Sequence, residues 1–106
     1  MERLAEPEDL AAPAFHVVAP SLPGYAWSDR PSAPIGPREV ARRYDTLMGA
    51  LGYDSYIYQG GDWGCVIGGW MGLDSSRVDA IHLNGYGLRS ADMTPTSPDE
   101  MAWMQK

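Results

Sequence analysis

Three short stretches of the chain are rich in the β-branched and aromatic residues that are typical of strands. They read "FHVVAP" at 15–20, "SYIYQ" at 55–59 and "RVDAIHLN" at 77–84. Between the first two, apolar residues recur every three or four positions from Pro37 to Leu51, which predicts an amphipathic helix. Pro37 suits the first turn of this helix, and Gly52 suits the position just past its end.

A second helix is predicted directly after the second strand, over "WGCVIGGWMG" at 63–72. Its four glycines lower the intrinsic helix propensity, but they would let the helix approach a sheet closely. After the third strand, a loop leads to a predicted helix start at Ser97 or Pro98. The order strand, helix, strand, helix, strand is typical of a parallel α/β sheet with flanking helices.

Composition narrows the class of protein. The 106 residues allow one small domain, and the net charge of −6 disfavours nucleic acid or an anionic membrane as a partner. The single cysteine, Cys65, excludes an internal disulfide and has no companions for a zinc site. Acidic residues interrupt the N-terminus, so no signal peptide is predicted, and no run approaches the ~20 apolar residues of a membrane span. We therefore expect a cytoplasmic protein.

The turn "GGDWG" is the candidate for chemistry. Gly60, Gly61, Asp62, Trp63 and Gly64 follow the order small, any, Asp, any, small, and they lie between a predicted strand and a predicted helix. This is the context of a nucleophile elbow, a sharp bend that exposes a reactive side chain. Small residues are expected at the flanks because their Cβ atoms would collide, and the N–H group after the nucleophile is free to bind an oxyanion.

Two interpretations of Asp62 remain open from this motif alone. An aspartate in a glycine-rich turn is commonly an Asx-turn residue or a helix N-cap. Alternatively, Asp62 is a nucleophile that is already ionised at neutral pH and needs no base to attack a saturated carbon. The product of that attack is an ester, which water activated by a histidine would hydrolyse.

The flanking sequence resembles the epoxide hydrolases of the α/β-hydrolase superfamily. The stretches "FHVVAPSLPGYAWSD", "LMGALGYDSYIYQGGDWG" and "RVDAIHLN" carry the resemblance, which runs from about Phe15 to Gly87. It is nearest to the microsomal-type branch, which is grouped with the S33 peptidase family and associated with detoxification. The resemblance implies that Asp62 attacks an epoxide carbon and that the Trp63 amide forms half of the oxyanion hole. Gly60, Gly61 and Gly64 would shape the elbow.

The same resemblance implies the substrates, the product and the absence of a cofactor. The substrates would be a small-molecule epoxide and water, the product a vicinal diol, and no metal or organic cofactor would be used. Pro23, Gly24 and Tyr25, in "PSLPGY", are interpreted as a structural turn, with a role in lining the access route as the alternative. Nothing in the sequence indicates the oligomeric state.

Several groups that such an enzyme needs are not found in the sequence. No residue matches the catalytic histidine, its orienting acid, the lid tyrosines or an upstream His-Gly-x-Pro turn. His16 and His82 are interpreted as ordinary strand residues. We therefore predict a partial α/β-hydrolase fold that lacks the N-terminal strands, most of the lid and the C-terminal half. Residues 1–90 would form the partial core, and residues 91–106 the start of the lid.

The resemblance also implies that a strand normally lies between the stretches at 15–20 and 55–59. Without that strand the sheet has a gap, with unpaired backbone groups on both sides. We expect the isolated chain to be poorly stable and nearly inactive. Two other functions remain open: a haloalkane dehalogenase-like enzyme, which also places Asp-Trp at its elbow, and a truncated, non-catalytic relic or binding module of hydrolase fold.

Overall fold

The computed structural model describes residues 2–85 and 97–104. Its elements are α1 (Glu2–Ala5), α2 (Pro37–Ala50), β1 (Tyr56–Gly60), α3 (Trp63–Asp74), β2 (Val78–Leu83) and α4 (Pro98–Met104). β1 and β2 are parallel neighbours, and the chain between them forms α3. The predicted α/β class with a parallel sheet is therefore confirmed, although the sheet has two strands in the described part of the chain rather than three. The predicted boundary at residue 90 lies outside the described residues.

Helix α2 begins and ends where its sequence predicts. Pro37 occupies the first turn, and the helix is followed by Gly52, whose φ of +87° is the left-handed conformation that terminates helices. The guanidinium group of Arg38 reaches across to α3. It forms two hydrogen bonds to Asp74, at 2.7 and 2.8 Å, and its central carbon lies 4.7 Å from the centre of the Trp70 ring. These contacts join the two helices at the surface.

The core lies between α2, α3 and one face of the sheet. Val40, Ala41, Ile67 and Met71 form a buried cluster. Helix α3 approaches the sheet closely, because a Cβ atom added at Gly68 would lie only 2.9 Å from the Leu83 side chain. The predicted use of glycine for close approach holds there, and also at Gly72 beside Ile81, but around Gly69 there is open space.

A polar cluster joins α2 to the strands and to the end of α3. Asp45 accepts hydrogen bonds from Tyr56 (2.8 Å) and Ser75 (2.5 Å), and it forms an ion pair with Arg77 (3.2 Å). Partial burial raises the pKa of Asp45, but the two hydrogen bonds and the charge of Arg77 together outweigh it, so that the pKa is lowered. The cluster therefore stabilises the fold when Asp45 is ionised.

The predicted strand at 15–20 is wrong, since Phe15 to Pro20 form no strand. A strand needs a hydrogen-bonded neighbour, and in the described part of the chain β1 pairs on one edge only, with β2. A cleft of about 1160 Å³ is lined by residues 14–20, by residues 55–61, and by side chains of α2 and β2. The stretch at 15–20 therefore borders this cleft and is not hydrogen-bonded to β1 as a strand.

Much apolar surface is left open in the described residues. Ile57, on the face of β1 that α3 does not cover, is 58% exposed, and the buried hydrophobic residues are Val40, Ala41, Cys65, Ile67 and Met71. Cys65 is a free cysteine and is buried. Among the helices described, none has the length and apolar character needed to cross a membrane.

Candidate active site

A sharp bend joins β1 to α3. The strand ends at Gly60 and the helix begins at Trp63, so only Gly61 and Asp62 connect them. Asp62 has φ of 51° and ψ of −120°, a conformation that residues with a side chain rarely adopt. Such a conformation costs about 1–3 kcal/mol and persists only where the surrounding structure enforces it.

The tight contact between Gly60 and Gly64 enforces the bend. A Cβ atom at Gly60 would lie 2.5 Å from the carbonyl oxygen of Gly64 and 2.8 Å from the Tyr58 ring. At Gly64 the added atom would meet only the Tyr58 hydroxyl group, at 3.4 Å. The first glycine is therefore required by a backbone contact, whereas the second faces a single side-chain atom.

Asn84 holds the bend from the side of β2. Its backbone N–H group donates to the Gly60 carbonyl at 3.2 Å, and its side-chain oxygen lies too close to leave room for a Cβ atom at Gly61. Because β1 and β2 are parallel, their carboxyl ends meet at one edge of the sheet, and Asn84 follows β2 at that edge. A side chain at Gly61 would thus displace the Asn84 side chain.

The side chain of Asp62 is exposed and makes no capping hydrogen bond to α3. An N-cap residue ordinarily has extended dihedral angles and accepts a bond from the first turn of its helix. Asp62 does neither, so its interpretation as a cap does not fit the structure. Its carboxylate projects into solvent from a strained backbone.

The N–H group of Trp63 has no acceptor among the described residues, whereas its two successors do. Gly64 donates to the Gly61 carbonyl at 2.7 Å, and Cys65 donates to the Asp62 carbonyl at 2.9 Å. The Trp63 N–H group lies at the N-terminus of α3, where the helix dipole favours negative charge. The bend thus brings an exposed carboxylate and an unsatisfied donor next to each other.

Neither histidine of the chain forms a hydrogen bond with Asp62. The Nδ1 atom of His16 lies 3.0 Å from the Tyr53 hydroxyl group, and His82 lies on β2 opposite Gln59. The interpretation as a strand residue is therefore right for His82 and wrong for His16. The large cleft is lined by both histidines and by the three glycines of the elbow, Gly60, Gly61 and Gly64, but not by Asp62 or Trp63.

The turn in "PSLPGY" is closed by a hydrogen bond from Tyr25 to the Leu22 carbonyl, at 2.9 Å. Gly24 has φ of +84°, which favours glycine and agrees with the interpretation as a structural turn. Residues 23–25 do not line the cleft.

Two residues of the elbow were missed by the sequence analysis, Tyr58 and Asn84. A signal for Tyr58 is present: glycines at 60, 64 and 68 have the four-residue spacing that leaves a groove for a large neighbour. Asn84 carries no such signal, because its contact with Gly61 depends on the register of two strands.

Comparison with known proteins identifies the fold family. The family described as alpha/beta hydrolase fold matches residues 3–106. The chain is 39% identical over 95 residues to a putative epoxide hydrolase of Stigmatella aurantiaca, covering 85% of this chain and 21% of that protein. It is 49% identical over 59 residues to juvenile hormone epoxide hydrolase of Bombyx mori, covering 55% of this chain and 13% of the relative.

Epoxide hydrolase 1 of Sus scrofa is 40% identical over 72 residues, which cover 66% of this chain and 16% of that protein. The chain therefore spans between 13% and 21% of the length of these three relatives. No solved structure matches it. The match of the family over almost the whole chain, together with the strand–bend–helix at 56–74, shows that this chain belongs to the α/β-hydrolase fold family.

Proposed function

We propose that these residues supply the nucleophilic half of an epoxide hydrolase active site, with Asp62 as the nucleophile and the Trp63 N–H group in the oxyanion hole. The observation that carries the proposal is the strained, exposed Asp62, which makes no capping bond although it precedes a helix. A residue that serves only as a turn could be glycine there at lower cost. The names of the three relatives, all epoxide hydrolases, support the choice of substrate class.

The reaction proceeds in two steps. A carboxylate oxygen of Asp62 attacks an epoxide carbon, the carbon–oxygen bond of the ring breaks, and an ester forms. The alkoxide that ring opening creates stays on the substrate and takes a proton from an acid outside the described residues. Water then adds to the ester carbonyl, and the Trp63 N–H group stabilises the oxyanion that develops. Collapse releases the vicinal diol and restores the carboxylate.

The described residues do not place every group that this reaction needs beside Asp62. Neither histidine forms a hydrogen bond with Asp62, so a base for the attacking water and a proton donor for the ring oxygen must come from outside the described residues. We therefore propose that the isolated chain hydrolyses no epoxide and unfolds without a cooperative transition. Circular dichroism during heating checks the second point, and a sharp, reversible melt would contradict it.

The test of function uses the full-length product of the gene, in a single turnover with styrene oxide in ¹⁸O-labelled water. Attack by Asp62 places the label in the Asp62 carboxylate, since water adds to the ester carbonyl and the diol takes its new oxygen from the protein. Direct attack by water would instead label the diol. The D54N variant is a matched control, because Asp54 is also an exposed carboxylate but lies outside the elbow.

We expect a mass increase confined to the peptide that contains Asp62, its absence in D62N, and full activity in D54N. Label in the diol, or in another peptide, would refute the assignment. A parallel assay with a chloroalkane separates the haloalkane dehalogenase-like alternative, which would release halide. No turnover of either substrate by the full-length product would favour a non-catalytic relic.

A further inference from the structure

Tyr58 lies beneath the elbow and contacts it at several points. Its hydroxyl group donates to the Gly64 carbonyl at 2.8 Å. Its ring would lie 2.8 Å from a Cβ atom at Gly60 and 2.5 Å from one at Gly68. The ring therefore fills the groove that these glycines create between β1 and α3.

The hydrogen bond from Tyr58 begins a chain that leads to Trp63. The carbonyl of Gly64 and the N–H group of Cys65 belong to one planar peptide unit, and Cys65 donates to the Asp62 carbonyl at 2.9 Å. The carbonyl of Asp62 and the N–H group of Trp63 form the next planar unit. The direction of the Trp63 N–H bond is thus fixed through two rigid planes by the Tyr58 hydroxyl group.

All the bonds in this chain point the same way. Each N–H or O–H group donates toward the elbow, so each bond polarises the next one and makes its donor stronger. Burial raises the pKa of Tyr58 to about 12, and the hydroxyl group therefore keeps its proton at any ordinary assay pH.

We propose that Tyr58 is a positioning residue, which orients and polarises the Trp63 N–H group through the peptide units 64–65 and 62–63. This inference rests on the proposed function of Asp62 and Trp63. The inference predicts different effects of Tyr58 on the rates of the two chemical steps. The oxyanion that the Trp63 N–H group stabilises forms on the ester carbonyl during hydrolysis, whereas the alkoxide of the first step forms on the epoxide oxygen, so the Tyr58 hydroxyl group should accelerate hydrolysis alone.

The experiment compares Y58F with Y56F in the full-length gene product. Both variants lose one hydroxyl group from β1, and both hydroxyl groups donate a hydrogen bond of 2.8 Å. The bond of Tyr56 goes to Asp45, away from the elbow. Rapid quenching followed by mass spectrometry measures the formation and the decay of the ester on the Asp62 peptide.

We expect Y58F to slow ester decay about fivefold, the effect of one ordinary hydrogen bond, with ester formation unchanged. The ester should accumulate, and kcat should fall while kcat/KM stays constant. In Y56F both rate constants should equal those of the wild type. A purely structural role of Tyr58 would instead lower kcat and kcat/KM together, and that result would overturn the inference.

A second variant covers the case in which Y58F folds poorly. Replacing Tyr58 by 3-fluorotyrosine keeps the ring and makes the hydroxyl group a stronger donor, so ester decay should become faster. Slower decay would count against the proposal. If the wild type forms no ester on Asp62, the proposed function fails and this inference fails with it. If the ester forms and decays equally fast in wild type and Y58F, only the role of Tyr58 is lost.

Discussion

Replacing Gly60 by alanine tests the steric basis of the elbow. The new Cβ atom would lie 2.5 Å from the oxygen and 2.6 Å from the carbon of the Gly64 carbonyl group. Carbon atoms in favourable contact are ~3.5–4.0 Å apart, so the start of α3 must move by about 1 Å. Because the clash is with backbone, no side-chain rotation relieves it.

The expected cost follows from this geometry. Overpacking typically lowers the free energy of unfolding by about 1–3 kcal/mol, and we expect the upper end here, since the first turn of α3 must shift as a unit. A displacement of ~1 Å at a nucleophile lowers the rate by about 100-fold. G60A should therefore lose both stability and formation of the Asp62 ester.

The matched control is G69A, the same substitution within α3. No atom lies within 4 Å of a Cβ atom at Gly69, and alanine favours a helix over glycine by about 1 kcal/mol. G69A should therefore raise the free energy of unfolding. Urea titration of the full-length product, followed by tryptophan fluorescence, measures both variants. Equal stability of G60A and wild type would refute the steric argument, as would equal losses in the two variants.

Three further predictions concern contacts around the site. G61A should lower the free energy of unfolding by about 1–2 kcal/mol, because its Cβ atom meets the Asn84 side chain, and N84A in the same chain should restore most of the loss in a double-mutant cycle. Unfolding by urea should become easier below about pH 4 in wild type, and the fall should be shallower in D45N. Between pH 10 and 12 stability should also fall, since burial raises the pKa of both Tyr56 and Tyr58 to about 12.

The signs of the pH effects follow from the directions of the pKa shifts. The folded-state pKa of Asp45 is lowered, so its stabilisation is present above the ordinary value near ~4 and is lost as the pH falls through the folded-state value. The tyrosines show the reverse, because their raised pKa gives stability that is complete below pH ~10 and is lost as the pH rises to about 12. These assignments would be contradicted if the free energy of unfolding of D45N depended on pH as that of the wild type does. A free energy of unfolding that stayed constant between pH 10 and 12 would also contradict them. Additive losses in G61A and N84A would show that the two residues are uncoupled.

The sequence predicts those elements whose signals are local. Helix α2 is marked by its hydrophobic period, by Pro37 and by Gly52, and its observed bounds agree. The sequence predicts the end of α3 less well, since the helix continues to Asp74, two residues beyond the apolar run. Strands are harder to predict from the sequence, because a strand forms only where a neighbouring strand pairs with it. The stretch at 15–20 has the composition of a strand, but in the described chain no neighbour pairs with it.

In the candidate site, too, residues with a local signal are predicted from the sequence and residues that depend on tertiary contacts are not. Asp62 and Trp63 are found from a motif of five residues, because an elbow is a local feature of the backbone. The link from Tyr58 to Trp63 is not readable from the sequence, since it depends on a side chain of β1 meeting a carbonyl of α3. The base that the chemistry needs has no local signal either, since neither histidine forms a hydrogen bond with Asp62 in the described residues.

The unpaired edge of β1 has a practical consequence for anyone who handles this polypeptide. Backbone groups exposed along a strand attract the strands of other molecules, and Ile57 beside them adds an apolar surface. The isolated polypeptide of 106 residues should consequently aggregate as its concentration rises. A charged solubility tag, or a lysine at position 57, would be the sensible first remedy.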